Sequence, residues 1–272
     1  MIRIHPLQTG WVRVRPSQLA GAGPLRRLRP LFESQWSAPL PIFAYLILHP
    51  EGPILVDTGM SPRVADPGYL PRWHPYFRRT LRFEVAPDEA IDRRLAALGI
   101  APQDLRAVVL THLHIDHMAG LAHLSFSRVL LSRLEWRVAQ GLAGAVRGYL
   151  LEHLPKGFRP EFLRFEEEGP PPFPRAASLT ADRRVLALPT PGHSAGHVSV
   201  LVENEGRYAL IAGDASYTER AMQEGIIDGV AASPYSTRLS LSRIRVFCRH
   251  FPTAYLPAHD PESPARLTAV FG

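Results

Sequence analysis

The chain has 272 residues, a formal charge of +6, 46% hydrophobic residues and a single cysteine. That length serves one large domain with a substantial core, and the composition is that of an ordinary globular enzyme rather than a disordered or fibrous chain. The lone thiol, Cys248, excludes an internal disulfide and a cysteine-built zinc site, so any metal must be held by His, Asp or Glu. No apolar run approaches the ~18 residues that a membrane span needs. Met1 to Trp11 lacks the apolar core and small-residue cleavage site of a secretory signal. The expectation is therefore a cytoplasmic enzyme over residues 1–272, with no membrane partner. Lys156 is the only lysine, so the positive charge is almost all arginine. The arginines are scattered, and the densest cluster, Arg26-Arg27-Arg29, is too small for a nucleic-acid stripe. An Arg-favouring genome explains the charge better than a nucleic-acid partner does.

Along the chain, Ile42–Leu48 and Pro53–Val56 read as the first buried strands, the second running into Asp57-Thr58-Gly59. The segment Ser61–Phe83 follows, with Tyr69, Trp73, Tyr76 and Phe77. It is either an ordinary packed loop or a cover for a pocket at that strand end. Pro87-Asp88-Glu89 opens a helix that Gly99 closes, with acids in its first turn. Leu105–Leu110 is a strand leading into Thr111–His117, and Met118-Ala119-Gly120-Leu121 looks like the opening turn of a helix. Arg128–Leu131 is a further strand, after which Ser132 caps a helix through Glu135-Trp136. Gly169-Pro170-Pro171-Pro172-Phe173-Pro174 reads as an exposed linker or turn between two halves. Strands Arg184–Leu188, Val198–Glu203, Tyr208–Ala212 and Ala254–Pro257 follow, and Ser236 or Thr237 caps a helix running to about His250. Helices alternate with strands that are apolar almost throughout, which implies sheets covered by helices in an α/β layered architecture. Periodicity does not fix the topology.

Five of the twelve histidines join one pattern. Its core is His112-Leu113-His114-Ile115-Asp116-His117, directly after an apolar strand. In an extended segment, residues two apart point the same way, so His112 and His114 can converge on one ion. The chain then turns, and Asp116 and His117 face the space beside it. His193, Asp214 and His259 each follow a later apolar strand, at the sheet edge where ligands collect in α/β proteins. His5, His49, His74, His123, His153, His197 and His250 read as ordinary satisfied polar groups.

These seven residues resemble the dinuclear site of the metallo-β-lactamase superfamily, whose motif is HxHxDH followed by a distant His, an Asp and a final His. Leu55-Val56-Asp57-Thr58-Gly59 resembles that family's early strand-end motif, and the likeness runs from about Ile42 to His259. The resemblance implies a four-layer αββα sandwich with the metals at one sheet edge. It implies that His112, His114 and His193 hold one ion, that Asp116, His117 and His259 hold a second, and that Asp214 bridges them. Zinc suits such ligands, with manganese, iron or cobalt open. Asp57 is either a partner that fixes a ligand imidazole or a turn-forming Asp before Thr-Gly.

Two such ions share and activate a water, so the implied enzyme is a metal-dependent hydrolase attacking with a metal-bridging hydroxide. Asp214 stands where a cysteine would suggest a β-lactamase. Gly213-Asp214-Ala215-Ser216-Tyr217 departs from the thiolester hydrolases and resembles the quorum-quenching N-acyl homoserine lactonases. Pro53–Met60 and Thr190–His197 resemble that family too. The implied activity is opening of the lactone ring of N-acyl homoserine lactones, with another ester, thiolester or phosphodiester as the alternative. Tyr217 is favoured as a catalytic donor to the carbonyl oxygen over a merely packed aromatic. Asp116 is a candidate proton donor to the leaving alkoxide, besides its ligand role. The substrate is a small-molecule lactone or ester, and an oligomer is left open.

Overall fold

A computed structural model describes residues 2–124 and 128–271. Its first sheet is built from β1 (Arg3–Val14), β2 (Leu40–Leu48), β3 (Ile54–Val56), β4 (Leu81–Glu84), β5 (Ala107–Val109), β6 (Val129–Leu131) and β7 (Glu161–Phe162), in the order β4-β1-β2-β3-β5-β6-β7. The second holds β8 (Ala177–Ser178), β9 (Val185–Pro189), β10 (Val198–Asn204), β11 (Arg207–Gly213) and β12 (Thr253–Pro257), in the order β12-β11-β10-β9-β8.

The side chains of these strands alternate between two apolar environments. In β2, Phe43, Tyr45 and Ile47 face the space between the sheets, while Ala44 and Leu46 face outward. Val200 and Val202 of β10 and Ile211 of β11 fill that inner space from the other side, whereas Leu201 and Leu210 point away. Each outer face needs cover, and helices supply it. Ile91 and Leu95 of the helix Ile91–Ala96 pack on the first sheet. Leu241, Ile244 and Phe247 of the helix Pro234–His250 pack on the second. Burial on both faces is why the strands read as continuous apolar runs, and it gives the four-layer αββα sandwich. Each fully buried Ile, Leu or Val contributes about 1.5–3 kcal/mol.

Several boundaries differ from the sequence reading. Strand β1, the longest at 12 residues, was passed over. Pro6 and Gly10 break its apolar pattern, and its register with β2 slips between Gln8 and Trp11. The helix expected from Pro87 is two pieces: a 3-10 turn over Pro87–Glu89, then Ile91–Ala96. The long helix Pro234–His250 is capped by Ser233, whose hydroxyl accepts from the Ser236 amide, with Pro234 in its first turn. The Ser-Pro pair was the signal, and Ser236 and Thr237 lie inside the helix. The proline-rich segment is a packed turn, because Phe173 is buried in the outer core of the second sheet. No helix among the described residues is long and apolar enough to cross a membrane.

Strand direction positions the site. β3 and β5 run parallel, as do β11 and β12, and β9 joins the direction of β11 through two antiparallel steps. The carboxyl ends of all five therefore emerge at one edge of the sandwich. Main-chain bonds from Phe43 N to Ala258 O (2.9 Å) and from Val198 N to Thr111 O (3.0 Å) clamp the sheets together there. The loops at this edge are tightly packed: a Cβ on Gly120 would lie 2.0 Å from the carbonyl oxygen of Thr58. Gly120→Ala is expected to destabilise the fold by about 3 kcal/mol or more, since backbone cannot give way as a side chain can. Denaturant unfolding checks this, and an unchanged midpoint would contradict the packing described.

Candidate metal centre

Asp57 follows β3 in a left-handed conformation with φ of +59°, unusual for a non-glycine residue and a form of stored backbone strain. That turn aims its carboxylate back at the neighbouring strand end. Oδ1 accepts from the Thr111 amide (2.7 Å), and Oδ2 accepts from the Thr111 hydroxyl and from His117 Nδ1 (2.8 Å each). Both sequence readings of Asp57 hold: its backbone makes the turn before Thr58-Gly59, and its carboxylate fixes the His117 imidazole. After β5 the chain runs through His112 to His114, which has an extended backbone, then turns into the short helix Ile115–Met118, which carries Asp116 and His117. His193 sits beyond β9, Asp214 directly after β11, and His259 two residues after β12.

All seven side chains meet. His112 Nε2 and His193 Nε2 lie 3.0 and 2.9 Å from His114 Nδ1. His259 Nε2 lies 3.5 Å from Asp116 Oδ2, and His117 shares that cluster. Asp214 stands between the groups. Its Oδ2 is 3.4 Å from His193 Nε2, while Oδ1 is 3.3 Å from His117 Nε2 and 3.4 Å from His259 Nε2.

Hydrogen bonds on the far side of each ring fix which nitrogens carry protons. Thr111 Oγ1 donates to Asp57, so it accepts from His112 Nδ1 (3.1 Å). His117 Nδ1 donates to Asp57, and His259 Nδ1 donates to the Pro41 carbonyl (2.9 Å). His112, His117 and His259 therefore all present bare Nε2 lone pairs inward. Lone pairs and carboxylate oxygens then face one another with few protons to share. His117 Nε2 and Asp214 Oδ1 are buried with no hydrogen-bond partner among the described residues. Such an arrangement is costly unless cations lie between these atoms, so the residues present fit a metal centre.

The electrostatics agree. Burial, then the neighbouring imidazoles, hold His112 and His114 well below the ordinary histidine range, so they stay neutral and able to ligate. Burial also acts to lower His117, but the carboxylates of Asp214, Asp57 and Asp116 outweigh it and raise that group well above its usual value. The carboxylates thus call for positive charge at this end of the site. A fourth group, His49, Glu51 and Asp182, fails the same test. His49 Nδ1 accepts from the Glu51 amide, its Nε2 faces Asp182 at 3.0 Å, and Glu51 pairs with Arg106 at 2.7 Å. That group is a satisfied surface cross-link.

Tyr217 is buried against His259, with ring centroids 5.5 Å apart. It lines a cavity of about 690 Å³ that opens over the seven residues. The segment 61–83 divides here. His74, Tyr76 and Phe77 line the cavity, Trp73 is exposed, and Tyr69 stacks on His153 instead. Val12, Val14, Leu31 and Val138 make the far wall largely apolar.

Sequence reasoning missed three buried supports. Glu135 accepts from Leu113 N (3.2 Å), Ser194 Oγ (2.8 Å) and Gly196 N (2.9 Å), tying the loop of His112 and His114 to that of His193. In sequence it is only an acid in the first turn of a helix. His197 Nε2 accepts from the Asp214 amide (3.0 Å), while its Nδ1 lies against Thr190 Oγ1 (3.0 Å). It is a satisfied polar group, as read, yet it sets the Asp214 backbone. Asp228 lies beside His193 and had no local signal at all.

Comparisons with known proteins agree with this geometry. A family model described as the metallo-beta-lactamase superfamily matches residues 38–247. An N-acyl homoserine lactonase of Bacillus cereus is 31% identical over 207 residues, covering 76% of this chain and 74% of that protein. The N-acyl homoserine lactonase AttM of Rhizobium radiobacter is 26% identical over 268 residues, covering 96% and 94%. Among solved structures, a B. thuringiensis AiiA mutant with N-decanoyl-L-homoserine bound at its active site superposes with a TM-score of 0.77 at 22% identity, covering 96% of this chain and 94% of that one.

Proposed function

The chain belongs to the metallo-beta-lactamase superfamily, and within it we propose that this protein is a two-metal hydrolase that opens the lactone ring of N-acyl homoserine lactones. The observation that carries the reading is the meeting of two three-residue groups on either side of Asp214, at the floor of a largely apolar cavity that Tyr217 lines. Relatives aligned over most of the chain are named for that activity, at 26% and 31% identity.

His112, His114 and His193 would hold one divalent cation, Asp116, His117 and His259 the other, and Asp214 both. The imidazole and carboxylate donors favour zinc over manganese, iron or cobalt, given that zinc accepts low coordination numbers. When bound, such a pair supplies an activated water near neutral pH and an electrophilic pull on the ester carbonyl. The protein's own residues do the rest. The Tyr217 phenol donates to the carbonyl oxygen as negative charge develops there. Burial keeps that phenol well above its usual range, so it remains a proton donor. Asp116 is less buried than Asp214 and lines the cavity, which suits taking a proton from the attacking water and passing it to the departing alkoxide. Tyr76, Phe77 and the far apolar wall cover the acyl chain and exclude water.

The cavity is largely apolar, with Arg27 and Arg147 its only arginines among the described lining residues, and it favours an uncharged acylated lactone over a phosphodiester. Hydrolysis of N-acyl homoserine lactones is expected to change less than about twofold between about 50 and 200 mM salt, because no phosphate contacts release counterions. Measuring kcat/KM for lactones and a phosphodiester across that range tests the reading. Turnover of the phosphodiester alone, falling steeply with salt, would replace it.

A further inference from the structure

We propose that Asp228 is a positioning residue that orients His193 as a ligand for the ion it shares with His112 and His114. The inference rests on the two-metal reading above. Asp228 Oδ2 lies 3.3 Å from His193 Nδ1, the nitrogen facing away from the cluster. Both atoms are buried, and neither makes a hydrogen bond among the described residues, their own 3.3 Å approach being close but not yet aligned as one. A small turn of the ring with a proton on Nδ1 would satisfy both and leave Nε2 bare toward His114 and Asp214, where it lies 2.9 and 3.4 Å away.

The carboxylate is held for this task. Its Oδ1 accepts from the Val230 amide at 3.0 Å. The same loop grips the main chain of the ligand segment: Ala232 N donates to His193 O (2.8 Å) and Ser233 N to Gly192 O (3.0 Å). From behind, Gly21 N donates to Ile227 O and Gly229 N to Gln18 O, at 2.8 Å each. A Cβ on Gly229 would meet the Ser17 carbonyl at 2.0 Å, so the loop has no slack. Among the described residues, no other carboxylate backs a ring of the three-histidine group. His112 leans on a threonine hydroxyl, and Asp57 serves His117. A carboxylate behind a ligand imidazole fixes the ring and strengthens it as a donor, and losing one typically costs 10–100-fold in metal affinity.

Zinc titration of metal-stripped full-length protein against a chromophoric chelator tests this, comparing wild type, Asp228→Ala and Asp228→Asn. The expected result is selective. Asp228→Ala weakens one of two zinc ions by about 10–100-fold and leaves the other unchanged. Asp228→Asn, which keeps an acceptor for Nδ1–H, recovers part of that loss. Wild-type affinity for both ions in Asp228→Ala overturns the inference. So does equal weakening of both ions together with a lower Tm of the metal-free protein, which is the mark of a general structural role. Fewer than two zinc ions on wild type overturns the two-metal reading, and this inference with it.

Discussion

Asp214→Ala is expected to lower turnover of N-acyl homoserine lactones by about 10³-fold or more and to leave the purified protein short of both metal ions. Its two oxygens divide between the groups: Oδ2 faces His193, while Oδ1 faces His117 and His259. Removing it deletes one donor from each site and the negative charge that balances two cations. The fold should survive. The Asp214 main chain is held independently, its amide by His197 and the preceding carbonyl, of Gly213, by the Ala258 amide. Metal analysis beside circular dichroism separates these effects. His114→Ala should behave alike at the three-histidine group, where His114 lies within 3.0 Å of both partners. Two ions retained by Asp214→Ala would remove it from the centre.

Tyr217→Phe is expected to keep both ions and lower kcat for lactones by about 10–100-fold, at or just below the cost of one oxyanion donor. The phenol lines the cavity, so its loss should hardly move stability. The ring remains to pack on His259. KM should change little if the contact forms mainly in the transition state. Unchanged lactone kinetics would leave Tyr217 as packing alone.

That these seven residues meet was legible in sequence, from the spacing of the first four and the likeness of the whole set to a known motif. The spacing of His112, His114, Asp116 and His117 encodes an extended stretch followed by a turn, and His193, Asp214 and His259 each follow an apolar strand. The layered fold was legible for a related reason, since strands covered on both faces leave unbroken apolar runs such as Tyr208–Ala212. What supports the site was not. Asp228, Glu135 and His197 act across distances in sequence that no local pattern records; Glu135 reaches Gly196 from 61 residues away. Strand β1 was invisible because its pairing with β2 tolerates Pro6, Gly10 and a slipped register. The cap at Ser233 was legible, and was missed only because the more polar residues after it drew the boundary inward.

The most direct measurement is proton release on adding N-acyl homoserine lactones of several chain lengths to metal-loaded protein, repeated after chelation. The account predicts rapid acid release, with the ring-opened acyl homoserine as product, lost on chelation and restored by adding back the metal. No release from protein shown to carry two ions would contradict it, leaving the fold and the metal centre standing and the lactone reading overturned.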